Sequence, residues 1–494
     1  MLKVLFIASE CTPFAKTGGL GDVIESLPIA LRDKKIDARV IVPKYDNILA
    51  EYKKEMVHKK TFTVPVAWRQ EYGGLEILKH EDSTYYFLDN EKYFKREGLY
   101  GFFDDGERFT YFCRGVLESL PFMDFQPDIL HCNDWHTGMI PLFLKAFYQN
   151  NPFYQNMKTV FTIHNLKFQG IFPMETLDDL LGLDNSYRSD EGVEYFGNVN
   201  FMKAGIVHAD RLTTVSESYA EEIKTEYYGE KLNGILKKYE GKMQGIINGI
   251  DYKKYNPETD PYIYENYRCS YAKKEQNKAK LQEAFRLPAR PDVPVLAMVS
   301  RLTKQKGLDL LIRIIDELLT EDIQLVILGT GEWKYEQVLR EAAERHPQKM
   351  KAYFMFNEAL AHKIYAGADL YLMPSLFEPC GLSQLIALRY GTLPIVRETG
   401  GLKDTIFSYN EQTGVGNGFS FANFNAHDFL FTIKRALDFY YNRKPIWNKL
   451  FKNACKSNVS WTSSAQKYIK LYEELYDGPQ EVNNNSYLKL FKKG

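Results

Sequence analysis

Two doubly wound α/β domains, each a parallel sheet of Rossmann-like build, are the fold this sequence predicts, and three observations predict it. Short apolar runs alternate with amphipathic helical patterns along most of the chain, the mark of parallel strands joined by right-handed helical crossovers. Eleven such runs suit two sheets better than one. Two glycine-cornered motifs, Lys16-Thr17-Gly18-Gly19-Leu20-Gly21-Asp22 and Ser300-Arg301-Leu302-Thr303-Lys304-Gln305-Lys306-Gly307, stand about three hundred residues apart, each where a strand gives way to a helix.

The elements follow in order. Val4–Ala8 is the first strand and runs into the first glycine motif, which opens the amphipathic stretch Val23 to Leu31. Ala38–Val42 is the next. Lys53 to Arg108 breaks the alternation with short runs such as Thr61–Val66 and Tyr85–Leu88, and reads as a β-rich insertion that shapes an acceptor surface. Ile129–Cys132, Val160–Ile163, Arg211–Val215 and Gly245–Ile247 then complete a first domain over residues 1–248. The turn dipeptide in Asn248-Gly249-Ile250-Asp251 and the polar, tyrosine-rich segment after it mark the boundary. Val295–Val299, Gln324–Leu328, Tyr353–Met355, Leu370–Met373 and Leu393–Val396 build a second domain over 249–460. Phe429, Ile433 and Leu437, then Tyr468, Leu471 and Leu475, have helical spacing; the last stretch, 461–478, is expected to cross back to the first domain, with a flexible tail over 479–494.

Composition narrows the class. A chain of 494 residues is long enough for two large α/β units. Its 63 basic and 64 acidic side chains nearly cancel, which gives no electrostatic case for nucleic acid or an anionic membrane and suits an uncharged partner such as a sugar. The six cysteines are scattered with no C-x-x-C pair, so neither a zinc site nor a disulfide framework is expected, and a reducing cytoplasm is. No secretion signal and no apolar run long enough to span a bilayer is read. Aromatic residues make up 14%, with 34 Tyr and 32 Phe, enough to supply faces that stack on pyranose rings as well as a core.

Ligands of open α/β sheets bind beyond the carboxyl ends of the strands. Here those ends carry Glu10 and Lys16, Asn133-Asp134-Trp135-His136, His164-Asn165, Asn248, Arg301 and Lys306, Glu378, and Thr399-Gly400-Gly401. Glycines let backbone N–H groups approach a phosphate, and Lys or Arg supplies full counter-charge. A diphosphate-bearing donor, held in a cleft between two domains that close on it, is the chemistry this pattern predicts.

Taken with Thr162-Ile163-His164-Asn165, Glu378-Pro379-Cys380-Gly381-Leu382 and Thr399-Gly400-Gly401-Leu402, these motifs closely resemble the bacterial glycogen synthases and plant starch synthases over about positions 1 to 475. The resemblance implies a GT-B fold, two Rossmann-like domains facing each other across a cleft. It further implies transfer of glucose from ADP-glucose to the nonreducing end of an α-1,4-glucan with retention of configuration, no cofactor and no metal. Glu378, Lys306, Arg301, His164 and Asp134 are the catalytic candidates. Lys16, Gly18, Gly19, Asn165, Asn248, Phe356, Cys380, Gly381, Leu382, Ser383, Thr399 and Gly401 are expected at the donor, with Glu10 and Asp22 at the acceptor or behind the site.

Retaining glycosidases use two carboxylates about 5 Å apart. Only Glu378 is a strong candidate here, so a front-face displacement is expected, the departing phosphate taking the acceptor proton. Two departures matter. Where many retaining GT-B enzymes carry a second glutamate eight residues after the first, this chain has Ile386; and Phe356 stands where bacterial relatives often have Tyr beside the adenine. Two alternatives stay open: a retaining transferase using UDP-glucose or a small acceptor, and a glucan-binding homologue without turnover.

Overall fold

The computed structural model describes residues 1–477, so position 478 of the expected last helix and the tail expected over 479–494 lie outside the described residues. The chain divides into two compact units: residues 1–214, 223–246 and 462 onward in the first, 215–222 and 247–461 in the second.

The first unit is built on a nine-stranded sheet. Its strands are β1 (Lys3–Ile7), β2 (Asp37–Pro43), β3 (Val57–Val66), β4 (Arg69–His80), β5 (Ser83–Asp89), β6 (Ile129–Asn133) and β7 (Lys158–Ile163). After the short β8 (Ile171–Pro173), β9 (Glu194–Tyr195) and β10 (Asn198–Asn200), which form a small sheet of their own, come β11 (Arg211–Thr214) and β12 (Met243–Gly245). The order is β12-β11-β7-β6-β1-β2-β5-β4-β3. From β12 to β5 every pairing is parallel, and β4 and β3 add an antiparallel edge. The central strands read as unbroken apolar runs because both faces are covered: Val4, Leu5, Phe6 and Ile7 have no exposed surface. The β-rich stretch is therefore part of the main sheet, and Tyr85–Leu88, expected in an insertion, lies in β5 and pairs parallel with β2.

The second unit has a six-stranded, wholly parallel sheet of β13 (Val295–Val299), β14 (Gln324–Leu328), β15 (Met350–Tyr353), β16 (Leu370–Met373), β17 (Leu393–Arg397) and β18 (Phe419–Phe421), in the order β15-β14-β13-β16-β17-β18. Its core is continuous from Ile250 to Ala454. In each sheet the chain lays down strands on one side of the first strand and then switches to the other, so a crevice opens between β1 and β6 and between β13 and β16.

One segment crosses the expected boundaries. Residues 215–222, expected in the first domain, belong to the second unit because their polar side chains are satisfied there: Ser218 donates its backbone N–H to Asp404 at 2.9 Å, and Glu222 accepts from the Gly400 N–H at 2.8 Å. The helix Trp461–Asp477 belongs, from Thr462 on, to the first unit. There the Tyr472 hydroxyl lies 2.6 Å from Nδ1 of buried His131, whose Nε2 lies 2.6 Å from Thr162 Oγ1.

Candidate active site

In the first unit, the crevice beside β1 collects polar groups from four loops. Glu10, just beyond β1, is 2% exposed, and its carboxylate accepts the backbone N–H groups of Thr17 at 2.7 Å and Gly18 at 3.0 Å. It also accepts the hydroxyls of Thr17 at 2.7 Å and Tyr100 at 2.5 Å. The glycine motif is thus held open by the protein's own carboxylate, and two of its amides are already engaged. Lys16 pairs with Asp22 at 2.6 Å, both partly exposed. A Cβ placed at Gly18 would meet nothing within 4 Å, and its backbone is extended, so nothing inside the fold demands glycine there. Open space beside a backbone is what an approaching ligand needs.

Across the crevice, Asp134 follows β6 with φ 57° and ψ 178°, a conformation that costs a non-glycine residue about 1–3 kcal/mol and persists where the surroundings over-determine it. Those surroundings are the N–H of His164 at 2.8 Å, with the Asn165 N–H at 3.4 Å, both on the same carboxylate oxygen. Burial raises the Asp134 pKa to about 7, the two N–H groups hold it back, and the charge of Glu10 pushes further up. Burial lowers His164 to about 3, so the ring is neutral at ordinary pH. Asn133 donates its amide to the Ile7 carbonyl at 3.1 Å and to the His131 carbonyl at 3.0 Å, which turns Oδ1 toward His164 Nε2 at 2.9 Å. An amide oxygen only accepts, so the imidazole proton sits on Nε2 and Nδ1 keeps its lone pair for a hydroxyl. The Asn165 side chain accepts from the Lys167 N–H at 3.1 Å, shaping the turn after the strand.

In the second unit, the loops after β13, β16 and β17 converge at the other crevice. Gly307 has φ 73°, and a Cβ there would collide with the Pro374 carbonyl, so this glycine brings the loop after β13 against the one after β16. Lys306 then meets Glu378 at 2.6 Å, and Ser375 Oγ donates to the same carboxylate oxygen at 3.1 Å. Glu378 is 5% exposed, a buried carboxylate whose charge Lys306 balances. Arg301 is exposed beside this pair in the chain and carries no ion pair among the described residues. The Glu378 carbonyl accepts the Gly401 N–H at 3.1 Å, which brings in the loop after β17.

Cys380 is buried, its thiol pushed up to about 12 by burial and touched by Asn248, whose own Oδ1 is buried without a partner. An orphaned buried acceptor of this kind marks a place where a ligand hydroxyl or amine would be satisfied. Gly381 and Leu382 form the turn into the helix Ser383–Arg389, with Gln384 donating to the carbonyls of Cys380 at 3.0 Å and Gly381 at 2.9 Å. Thr399 Oγ1 donates to Glu222 at 3.1 Å, so this hydroxyl and the Gly400 amide are engaged by a carboxylate, as in the first glycine motif. Phe356 stands apart from the others: it lies beyond β15, two strands from the β13/β16 crevice, and is 85% exposed.

Each unit therefore assembles most of its predicted residues: Glu10, Lys16, Gly18, Gly19, Asp22, Asp134, His164 and Asn165 in the first, Asn248, Lys306, Glu378, Cys380 to Ser383, Thr399 and Gly401 in the second. Sequence reading gave no part to Tyr100 or Glu222, and named Asn133 only within the Asn133-Asp134-Trp135-His136 motif, without its contact to His164. Tyr100 had a weak signal, an aromatic in Gly98-Leu99-Tyr100-Gly101; Glu222 has none, because its partners Thr399 and Gly400 are distant in the chain.

Two Rossmann-like units, each with charged and amide groups at its switch point and one with a half-buried lysine paired to a buried glutamate, fit a glycosyltransferase of the GT-B fold, the class that the matching family models show. The model for the starch synthase catalytic domain matches residues 3–238, and that for glycosyl transferases group 1 matches 280–446. Glycogen synthase of Desulforamulus reducens is 56% identical over 475 residues, covering 96% of this chain and 99% of that one. Glycogen synthase of Geobacillus thermodenitrificans is 56% identical over 476, covering 96% and 98%. Among solved structures, the catalytic domain of starch synthase IV from Arabidopsis thaliana, bound to ADP and acarbose, superposes with a TM-score of 0.91 at 32% identity, covering 97% of this chain and 100% of that one. Sucrose-phosphate synthase from Thermosynechococcus elongatus, at 16% identity and a TM-score of 0.61, shares the fold and covers 97% and 100%. The chain belongs to the glycogen synthase and starch synthase family. Among the described residues no helix is long and apolar enough to cross a membrane, and no group of three or more His, Cys, Asp and Glu is placed to hold a metal ion.

Proposed function

We propose that the chain transfers glucose from ADP-glucose to the nonreducing end of an α-1,4-glucan with retention of configuration, using no metal or cofactor, in the cytoplasm. The observation that carries the reading is the Lys306–Glu378 pair at 2.6 Å in the β13/β16 crevice, with Arg301 exposed nearby in the chain. Two cations on one glycine-turned loop suit a diphosphate, and negative charge builds on that group as the glycosidic bond breaks; fixed positive charge lowers this barrier more than it tightens binding. Glu378, paired with Lys306 in the same loop cluster, is assigned to the transferred sugar. In the first unit, neutral His164 offers Nδ1 to a sugar hydroxyl, and Asp134 positions the acceptor or handles its proton. The names of the relatives and the ADP held by the starch synthase neighbour support a nucleotide donor and a glucan acceptor. The near balance of 63 basic against 64 acidic residues supports an uncharged polymer over nucleic acid.

Nucleotide release from ADP-glucose, measured with and without glycogen, tests the reading. Lys306→Ala and Glu378→Gln should each lower kcat by roughly a hundred- to a thousandfold. Release without a glycogen requirement, or variants as fast as the parent, would remove it. A second reading, UDP-glucose as donor, is favoured by one feature: Phe356 offers an exposed ring with no hydroxyl to distinguish one base from another. Equal kcat/KM for the two donors would establish it.

A further inference from the structure

Two short helices in the second unit cap each other. The chain leaves the first unit after Thr214, forms the helix Glu217–Glu222 and rejoins the first unit at Ile223. That helix packs against Gly400–Thr405, the helix that follows β17. Each has six residues, too few to be stable alone in water. At the start of the first helix, Ser216 Oγ accepts the Tyr219 N–H at 2.9 Å, and Asp404, from the last turn of the second helix, accepts the Ser218 N–H at 2.9 Å together with the Ser218 hydroxyl. At the other end Glu222, the last residue of the first helix, accepts the Gly400 N–H at 2.8 Å and the Thr399 hydroxyl at 3.1 Å. The start of each helix thus meets a carboxylate from the end of the other. The two run antiparallel, and each anion sits where a helix N-terminus is positive.

Thr399 gives up its own capping role to this arrangement. It stands at the N-cap position of its helix, where a threonine oxygen ordinarily accepts an N–H of the first turn; it makes no such bond and donates to Glu222 instead. A carboxylate brought from residue 222 replaces a cap that was available locally. Glu222 and Asp404 are both half-buried, and a carboxylate withdrawn from water is a costly way to pack two short helices. What it adds over apolar contact is direction, because each hydrogen bond fixes an amide at one distance and one angle.

The backbone of Glu378 is what needs that direction. Gly400 has φ 45°, and a Cβ there would strike the Glu378 carbonyl; a Cβ at Gly401 would strike the Cys380 backbone. The Gly401 N–H donates to the carbonyls of Glu378 and Pro379, both at 3.1 Å. With no side chain between them, the first turn of the helix Gly400–Thr405 and the Glu378-Pro379-Cys380 backbone are fixed to one another. We infer that Glu222 and Asp404 are positioning residues for Glu378: the two carboxylates fix the helix Gly400–Thr405, and Gly400 and Gly401 pass that placement to the Glu378 backbone. The inference rests on the assignment of Glu378 to the transferred sugar in the proposed function.

The test compares kcat, both KM values and amide hydrogen exchange in the parent, Glu222→Ala, Glu222→Gln, Asp404→Ala and Glu222→Ala/Asp404→Ala. Each alanine variant should lower kcat about tenfold to a hundredfold, since a misplacement of about 1 Å is enough for such a loss, with KM for ADP-glucose and for glycogen within about threefold of the parent. Glu222→Gln keeps an oxygen that can accept the Gly400 N–H and should recover most of kcat. The double variant should be no more than about twofold slower than the slower single one, because both carboxylates act through one contact. Without donor, residues 376–382 and 399–402 should exchange about tenfold faster in Glu222→Ala. A parental kcat beside a lowered urea midpoint would overturn the inference and leave the two carboxylates a matter of stability. So would losses that multiply in the double variant, or a lower KM for ADP-glucose in Glu222→Ala, which would make Glu222 an anion standing in the donor's place. Should Glu222→Ala fail to fold, Asp404→Ala asks the same question with the cap on Gly400 left in place. Because exchange is read without turnover, a parent that transfers no glucose beside a Glu222→Ala variant that loosens residues 376–382 would defeat the proposed function alone.

Discussion

At the scale of single residues, the carboxylate of Asp134 makes the clearest prediction. Its pKa is raised to about 7, against roughly 3.9 for an aspartate in an unfolded chain. Between those values the folded state binds more protons than the unfolded one, so this group's stabilisation is complete below about pH 4 and is lost as pH rises through about 7. Asp134→Asn carries no such titration, so the stability of the parent relative to this variant should fall by on the order of 2–3 kcal/mol between pH 5 and pH 8, read from urea midpoints. Activity should run the other way, kcat/KM rising to a plateau above about pH 7 because the ionised form positions the acceptor; Asp134→Asn should lose that limb, and an unchanged profile would exclude the role. His164 adds no limb, since burial holds it neutral far below this range. These residues were legible in sequence because an acid and an imidazole just past a strand end need a reason to be there. Glu222 was not, since only folding brings it to the Gly400 amide; Phe356, expected beside the adenine, is an exposed ring beyond β15.

At the scale of elements, loops and helix returns decide whether the residues meet. Gly307 lets the loop after β13 pass against Pro374, so Gly307→Ala should separate Lys306 from Glu378. The left-handed φ of 73° and the carbonyl in the way make a cost of at least 2 kcal/mol the expected outcome in denaturant unfolding, with kcat falling further than that loss explains. Tyr472 tests the returning helix: its hydroxyl meets the ring of His131 inside the first unit, and Tyr472→Phe leaves that nitrogen buried without a partner, a cost of about 1–3 kcal/mol. A midpoint unchanged by Tyr472→Phe would show the contact to be dispensable. The strands that sequence placed best, β1, β13, β14 and β16, are buried on both faces and read as unbroken apolar runs. The strands β3 to β5 were harder, because alternating polar positions on an antiparallel edge look the same whether the strands extend a main sheet or form a separate insertion. Residues 215–222 were misplaced for a different reason: nothing in the sequence between Val215 and Glu222 reveals that Asp404 and Gly400 are their partners.

At the scale of the whole molecule, charge is what the two units have in common. Lys16 and Asp22, Glu10 and the Thr17 and Gly18 amides, Lys306 and Glu378, and Glu222 with Thr399 and Gly400 each match an anion to a cation or a donor within a single unit. The protein satisfies these phosphate-type cradles with its own carboxylates, and the glycine motifs at strand ends were enough to predict where the cradles fall, though not that carboxylates would fill them. A diphosphate must then compete for donors that already have partners, and the cost of parting Lys306 from a carboxylate that is 5% exposed is recovered only if that lysine gains an anion at least as close. If the counter-charge comes from side chains, as proposed, turnover should be unchanged within about twofold when Mg²⁺ is replaced by excess EDTA. Lys306→Ala separates the two possibilities further: if lysine supplies the charge, added Mg²⁺ should not restore the lost rate, whereas a metal-dependent transferase would lose activity in EDTA with its lysines intact. A parent enzyme silenced by EDTA and revived by Mg²⁺ would mean that the cations of the loop after β13 do not by themselves carry the leaving nucleotide.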